Sequence, residues 1–172
     1  MTQELLDLRA SILEGRLVDA LEIVDELEGM SKQAILRNIE SFLNRLLVHL
    51  IKNQVEKRLT NSWVASISDS IRQIQKLNLK DNKTSHYVKP DDWESMLEDE
   101  FDGAVDAASI EVRNGLYNPF QLTEILDRPQ VILTAKNLLL LIYSHPARSL
   151  PFAIREHLVQ LSGGAEWKRG SY

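Results

Sequence analysis

The sequence predicts an all-α fold, an up-and-down helical bundle with a long central helix and an additional C-terminal helical tail. Three observations predict it. In the stretch from Ser31 to Lys57, Leu36, Ile39, Leu43, Leu46, Leu47, Leu50 and Ile51 recur three and four residues apart. That spacing puts them on one side of a helix with 3.6 residues per turn. The same stretch contains no Gly or Pro to break it. Segments beginning near Leu5, Leu17, Trp63 and Trp93 then repeat the period. At 1.5 Å per residue the central stretch alone would be roughly 40 Å long. Phe42 and Val48 widen its apolar arc, so neighbours are expected on more than one side.

Taken in order, Leu5, Leu8 and Ile12 mark a first amphipathic helix, and Gly15 suits a left-handed stop. Leu17, Leu21, Val24 and Leu27 keep the period, with Asp19, Glu22, Asp25, Glu26 and Glu28 on the remaining faces. Met30 and Ile35 carry it past Gly29, so one continuous, bent helix is expected into the central stretch. Thr60, Asn61 or Ser62 offers an N-cap for the next helix. Its stripe is Trp63, Ile67, Ile71 and Ile74, and Arg72, Lys76 and Lys80 stand four apart on a separate face. Residues 78–89 lack periodicity and read as a polar surface loop.

Pro90 suits a first helical turn, and the acids after it favour the positive end of the helix dipole. Trp93, Leu97, Phe101, Ala104, Ala108 and Val112 form the expected buried face, with Gly115 as the stop. A short helix is expected between Pro119 and Pro129. Residues 131–143 are apolar almost all round. Pro146 and Pro151 bracket a break before one more amphipathic helix, and residues 163–172 read as a frayed end. The expected organisation is a bundle domain over residues 1–130 and a C-terminal helical extension over 131–172.

A chain of 172 residues can bury roughly 70% of its unfolded surface, so it needs no covalent staple. The absence of cysteine excludes disulfides, thiol catalysis and thiolate metal sites. The N-terminus has no basic leader before its apolar positions. The longest apolar run contains Lys136 and Asn137 and falls short of the roughly 20 residues of a membrane span. The expectation is a cytoplasmic protein without a membrane partner. The net charge of −5 hides alternating blocks of −6 over residues 1–31, +7 over 32–89, −10 over 90–127 and +4 over 128–172. Acidic segments 17–30 and 91–111 are expected to flank the basic middle helices.

Three groups of residues are candidates for function. His49, with Asp25 and Glu26, would make a polar site for a base or a metal. The competing reading is a half-buried histidine bonded to a neighbouring acid, since no second histidine lies at ligand spacing. None of His49, His86, His145 or His157 has Glu three positions earlier, as a di-iron bundle requires. Gly163 and Gly164 make no phosphate loop. No metal, no cofactor and no catalytic residue is expected. The second group is Arg72, Lys76 and Lys80, which with Lys57, Arg58 and Lys83 make the 57–83 region a candidate nucleic-acid surface. The competing reading lays the acidic blocks against it. The third is Leu138, Leu139, Leu141 and Ile142. The apolar residues of 131–143 wrap most of a helix, so some would form an exposed assembly surface unless the helix slots between two others of the same chain.

The motifs EIVDELEGM, RLLVHLIK and SW, followed by an acidic Trp-bearing helix and NPFQLTEIL, come in an order that resembles a known family. That family is the bacterial domain of unknown function twenty-nine, and the resemblance covers residues 17–130. It implies a small all-helical bundle and no particular activity. Ser31 and Asn53 depart from the residues usual in the family, and basic residues it often carries near Val64 and Ser68 are absent. The expectation is a helical binding or scaffolding protein that forms homo-oligomers or holds a protein partner. Nucleic-acid binding and a polar site at His49 are the alternatives.

Overall fold

The computed structural model describes residues 2–170. Among these it contains eight α-helices and no strand beyond one isolated bridge between Leu79 and His86. By contact the chain divides into two compact units between Asn38 and Ile39.

The N-terminal unit holds α1 (Gln3–Leu13) and the first part of α2 (Leu17–Glu56). Gly15 turns the chain with φ +74°, a conformation costly for residues with a Cβ. Arg16 N donates to Ser11 O at 2.8 Å. Helix α2 runs through Gly29 without interruption, as Met30 and Ile35 predict. Only Ser11 and Ala20 are buried among the described residues of this unit, so it has no large apolar core side chain of its own.

The second unit is built on the remainder of α2, with α3 (Asn61–Asn78), α4 (Trp93–Glu111), α5 (Pro119–Ile125), α6 (Arg128–Ser144), α7 (Leu150–Leu158) and α8 (Gly164–Arg169). Ile39, Leu43, Leu46, Leu47 and Ile51 are fully buried at its centre. Thr60 caps α3 by accepting from Trp63 N at 3.1 Å. Pro90 opens a 3-10 turn before α4, and Asn118 and Gln121 form a reciprocal capping box on α5. α4 packs on α6, α3 packs on α6 and α7, and α6 packs on α7.

Residues 131–170 therefore share a core with residues 39–130, and the units divide at Asn38 where the sequence suggested residue 130. Leu138, Leu139, Leu141 and Ile142 are buried inside their own chain, because α3, α4 and α7 lie against α6. Of the segment expected to fray, residues 163–170 are docked, and 171 and 172 lie outside the described residues. Trp167 Nε1 donates to Asn61 Oδ1 at 3.0 Å. Asn53 Nδ2 donates to Ser162 O at 2.8 Å. Gly163, with φ +77°, sits so close that a Cβ there would meet Arg58 Cα at 2.5 Å. The acids of α4 pair mainly with the basic C-terminal block. Arg128 binds Glu98 at 2.8 Å and Asp102 at 3.1 Å, and Lys136 meets Glu94 at 3.5 Å. From the basic middle block, Lys52 joins them through Glu111.

Candidate functional site

His49 stands on the second-unit part of α2, half-buried, one turn before Lys52 and Asn53. Its Nδ1 lies 2.8 Å from Arg45 O. A carbonyl only accepts, so Nδ1 carries the proton and Nε2 keeps a lone pair. Burial lowers its pKa first, and the cations Lys52 and Arg45 lower it further. Lys52, buried, donates from Nζ to Glu111 Oε2 at 2.9 Å and lies 4.7 Å from the centre of the Trp63 ring. That hydrogen bond is the main cause of a lowered pKa at Glu111. Arg58 Cζ lies 4.6 Å from the same ring, so Trp63 is taken up by two cations. This cluster joins α2, α3 and α4 through the Lys52–Glu111 ion pair and the two cations on the Trp63 ring.

Asp25 and Glu26, the other two residues of the expected polar site, are exposed in the N-terminal unit. They lie 24 and 23 residues from His49 in sequence. Among the described residues no group of three or more His, Cys, Asp or Glu side chains is placed to hold a metal ion.

Arg72 and Lys76 on α3, and Lys80 just beyond its end, are all exposed. Arg72 and Lys76 carry no ion pair among the described residues, and Lys80 Nζ lies 5.5 Å from the Tyr87 ring centre. No ion pair joins Arg72 or Lys76 to α4 among the described residues, and Glu94, Glu98, Asp102 and Glu111 of that helix pair with Lys136, Arg128 and Lys52.

Two further features were not legible in the sequence. The first is a buried polar network. Tyr143 Oη donates to Val88 O at 2.6 Å and accepts from Trp93 Nε1 at 2.8 Å. Asn78 exchanges both its amide groups with the Val88 backbone, at 2.9 and 2.6 Å. Burial is the main reason the Tyr143 pKa is raised. Beside the network, between α3 and the turn after α6, lies a cavity of about 480 Å³. The second feature is the surface of the N-terminal unit. Leu13, Leu17, Val18 and Leu21 are 77%, 65%, 71% and 64% exposed. Helical spacing gave no sign of this, since a period shows that a helix has an apolar face and not what covers it.

A model of the family described as Domain of unknown function DUF29 matches residues 4–129. The chain belongs to the DUF29 family. Comparison with curated proteins and with solved structures gave no match. The DUF29 region supplies His49, Lys52, Trp63, Glu111 and the basic stripe. Tyr143, His145 and the Gly163 turn lie beyond it. Asn53 donates to Arg58 O and to Ser162 O, and so ties the family region to the C-terminal segment beyond it. No helix among the described residues is long and apolar enough to cross a membrane.

Proposed function

We propose that this DUF29 chain is a non-catalytic helical binding module whose N-terminal unit docks an amphipathic helix of another protein, with leucine-like residues on one face and lysine or arginine along its edges. One observation carries the reading. Eight of the fifteen exposed large hydrophobic residues among those described fall within residues 1–38. A two-helix unit with so little internal burial gains stability by covering such residues, at roughly 1.5–3 kcal/mol for each one fully buried.

Charge selects the partner. Residues 1–38 carry eight acids and four bases. Arg16 is already paired with Glu14 at 2.8 Å and Asp19 at 3.0 Å. Glu22, Asp25, Glu26 and Glu28 are exposed and without an ion pair among the described residues. A second copy meeting the same face would set acid against acid, whereas a basic-edged helix is attracted. The non-catalytic reading is supported by the His49 cluster, where Lys52 is committed to Glu111 and Trp63 and His49 Nδ1 to the Arg45 carbonyl, with Asp25 and Glu26 lying in the N-terminal unit.

The test is titration with two synthetic amphipathic helices of identical leucine pattern, one edged with lysine and one with glutamate. Only the lysine peptide should bind, and a Leu13→Ser/Leu17→Ser/Leu21→Ser variant should lose it. Equal binding of both peptides, or binding unchanged in the variant, rejects the proposal. A dimer of the protein alone that the same variant dissolves would replace the foreign helix with a second copy.

A second reading, nucleic-acid binding through Arg72, Lys76 and Lys80, is favoured by the exposure of the stripe and the lack of an ion pair at Arg72 and Lys76. It requires retention of nucleic acid at low salt that falls steeply as salt rises, because released counterions drive such binding.

A further inference from the structure

We infer that the cavity between α3 and the turn after α6 is a binding site for a small organic carboxylate with an apolar body. Its volume of about 480 Å³ lies within the range of roughly 300–1,000 Å³ typical of small-molecule pockets. Leu79, Ile142, Pro146 and Ala147 supply the apolar part of its lining. One wall is an aromatic pair, His86 edge-on to Tyr143 with ring centres 5.0 Å apart. The Tyr143 ring is fixed in place by its hydroxyl, which the Val88 carbonyl and the Trp93 indole hold from behind.

The polar groups that remain free point to an anion. Lys76 lines the cavity, is exposed and carries no ion pair among the described residues. Among the described residues, the ring nitrogens of His86 have no hydrogen-bond partner, and Nε2 of His145 has none either. Among the described residues no carboxylate lines the space. Asp92, whose charge reaches Tyr143, already accepts from Lys89 N at 2.9 Å.

The end of a helix would normally repel an anion through its free carbonyls. Here Gln75 Nε2 donates to Ile142 O at 3.0 Å and to His145 O at 2.7 Å. Those two oxygens are thus turned to the protein and partly neutralised. Gln75 and Ser144 complete the lining, the first committed to those carbonyls and the second lying 3.0 Å from His145 Nδ1, and the ammonium, two imidazoles and apolar residues beside them complement a carboxylate carried on an aromatic or short aliphatic group. Residues 142–147 lie outside the DUF29 match, so the site is completed by this chain's own C-terminal segment. It is independent of the helix-docking surface.

Three isosteric probes test the site: phenylacetate, phenylacetamide and phenethylammonium, titrated into full-length protein and followed by amide resonances. Phenylacetate should shift Leu79, His86, Tyr143 and His145, bind at least about tenfold more tightly than phenylacetamide, and exclude phenethylammonium. Lys76→Glu, a change at an exposed position, should weaken phenylacetate by about tenfold or more. Ala147→Trp should fill the space and abolish binding. Arg72→Glu should leave it unchanged, which separates this site from a nucleic-acid surface using the same Lys76. No shifts at the cavity with any probe, equal affinity for all three, or full binding by Lys76→Glu would each overturn the inference.

Discussion

Tyr143→Phe removes one oxygen atom and tests how the C-terminal segment is joined to the DUF29 region. In the structure that oxygen accepts from Trp93 Nε1 at 2.8 Å and from Asn78 Nδ2 at 3.3 Å, and donates to Val88 O at 2.6 Å. Without it, Val88 O keeps Asn78 Nδ2 at 2.9 Å, and Asn78 keeps its Val88 contacts. Trp93 is fully buried, and its indole N–H is left with no acceptor. An orphaned buried donor costs about 1–3 kcal/mol. The loss of one donor at Val88 O adds little, so about 2 kcal/mol is expected. For a chain of this length that lowers the melting temperature by about 4–8 °C. Urea denaturation at pH 7 should show a lower midpoint with an unchanged m-value, because the surface exposed on unfolding is the same. A loss below about 0.5 kcal/mol would mean that the indole finds another acceptor and that the network does not hold the two segments together.

Other outcomes follow from the same geometry. Gly163→Ala combines a left-handed backbone with a Cβ 2.5 Å from Arg58 Cα. Gly15→Ala meets only open space. The first should therefore destabilise by clearly more than the roughly 1–2 kcal/mol of the left-handed cost that bounds the second, as read by thermal unfolding. His49 has a lowered pKa in the folded chain, so the unfolded chain takes up more protons as the pH falls below about 6.5. Its contribution is full above that pH and drains away below it, and His49→Gln should flatten the stability profile on that acidic side. Truncation after Pro129 removes Leu138, Leu139 and Ile142 from the core, and circular dichroism should show an unfolded or much less stable chain. A truncated protein as stable as the full chain would place the core elsewhere.

Local signals in the sequence were read correctly where they are sufficient. Leu43, Leu46, Leu47 and Ile51 announce a core helix, and all six expected core positions from Trp93 to Val112 are buried. What failed was whatever depends on distant chain. Leu17 and Leu21 have the same period as Leu43 and Leu47, yet the first pair is exposed and the second buried. Leu138 and Leu139 suggested an interface because a sequence does not say which chain covers an apolar helix. Gly163 is required by backbone about 105 residues earlier, so in sequence it looked like a loose end. The candidate sites suffered in the same way. Lys76 was legible as part of a basic stripe, but its place beside His86, Tyr143 and His145 arises only from the packing of α3 on α6.

The central claim is that the N-terminal unit holds a basic-edged helix of another protein. A photo-crosslinking residue placed at Leu13, Leu17 or Leu21 in cells, with Glu124 as the exposed control, tests it most directly. Adducts are expected from those three positions and none from the control, with crosslinked peptides that read as amphipathic helices rich in lysine or arginine beside the apolar face. Adducts only to a second copy of this chain, or none at all, would contradict it.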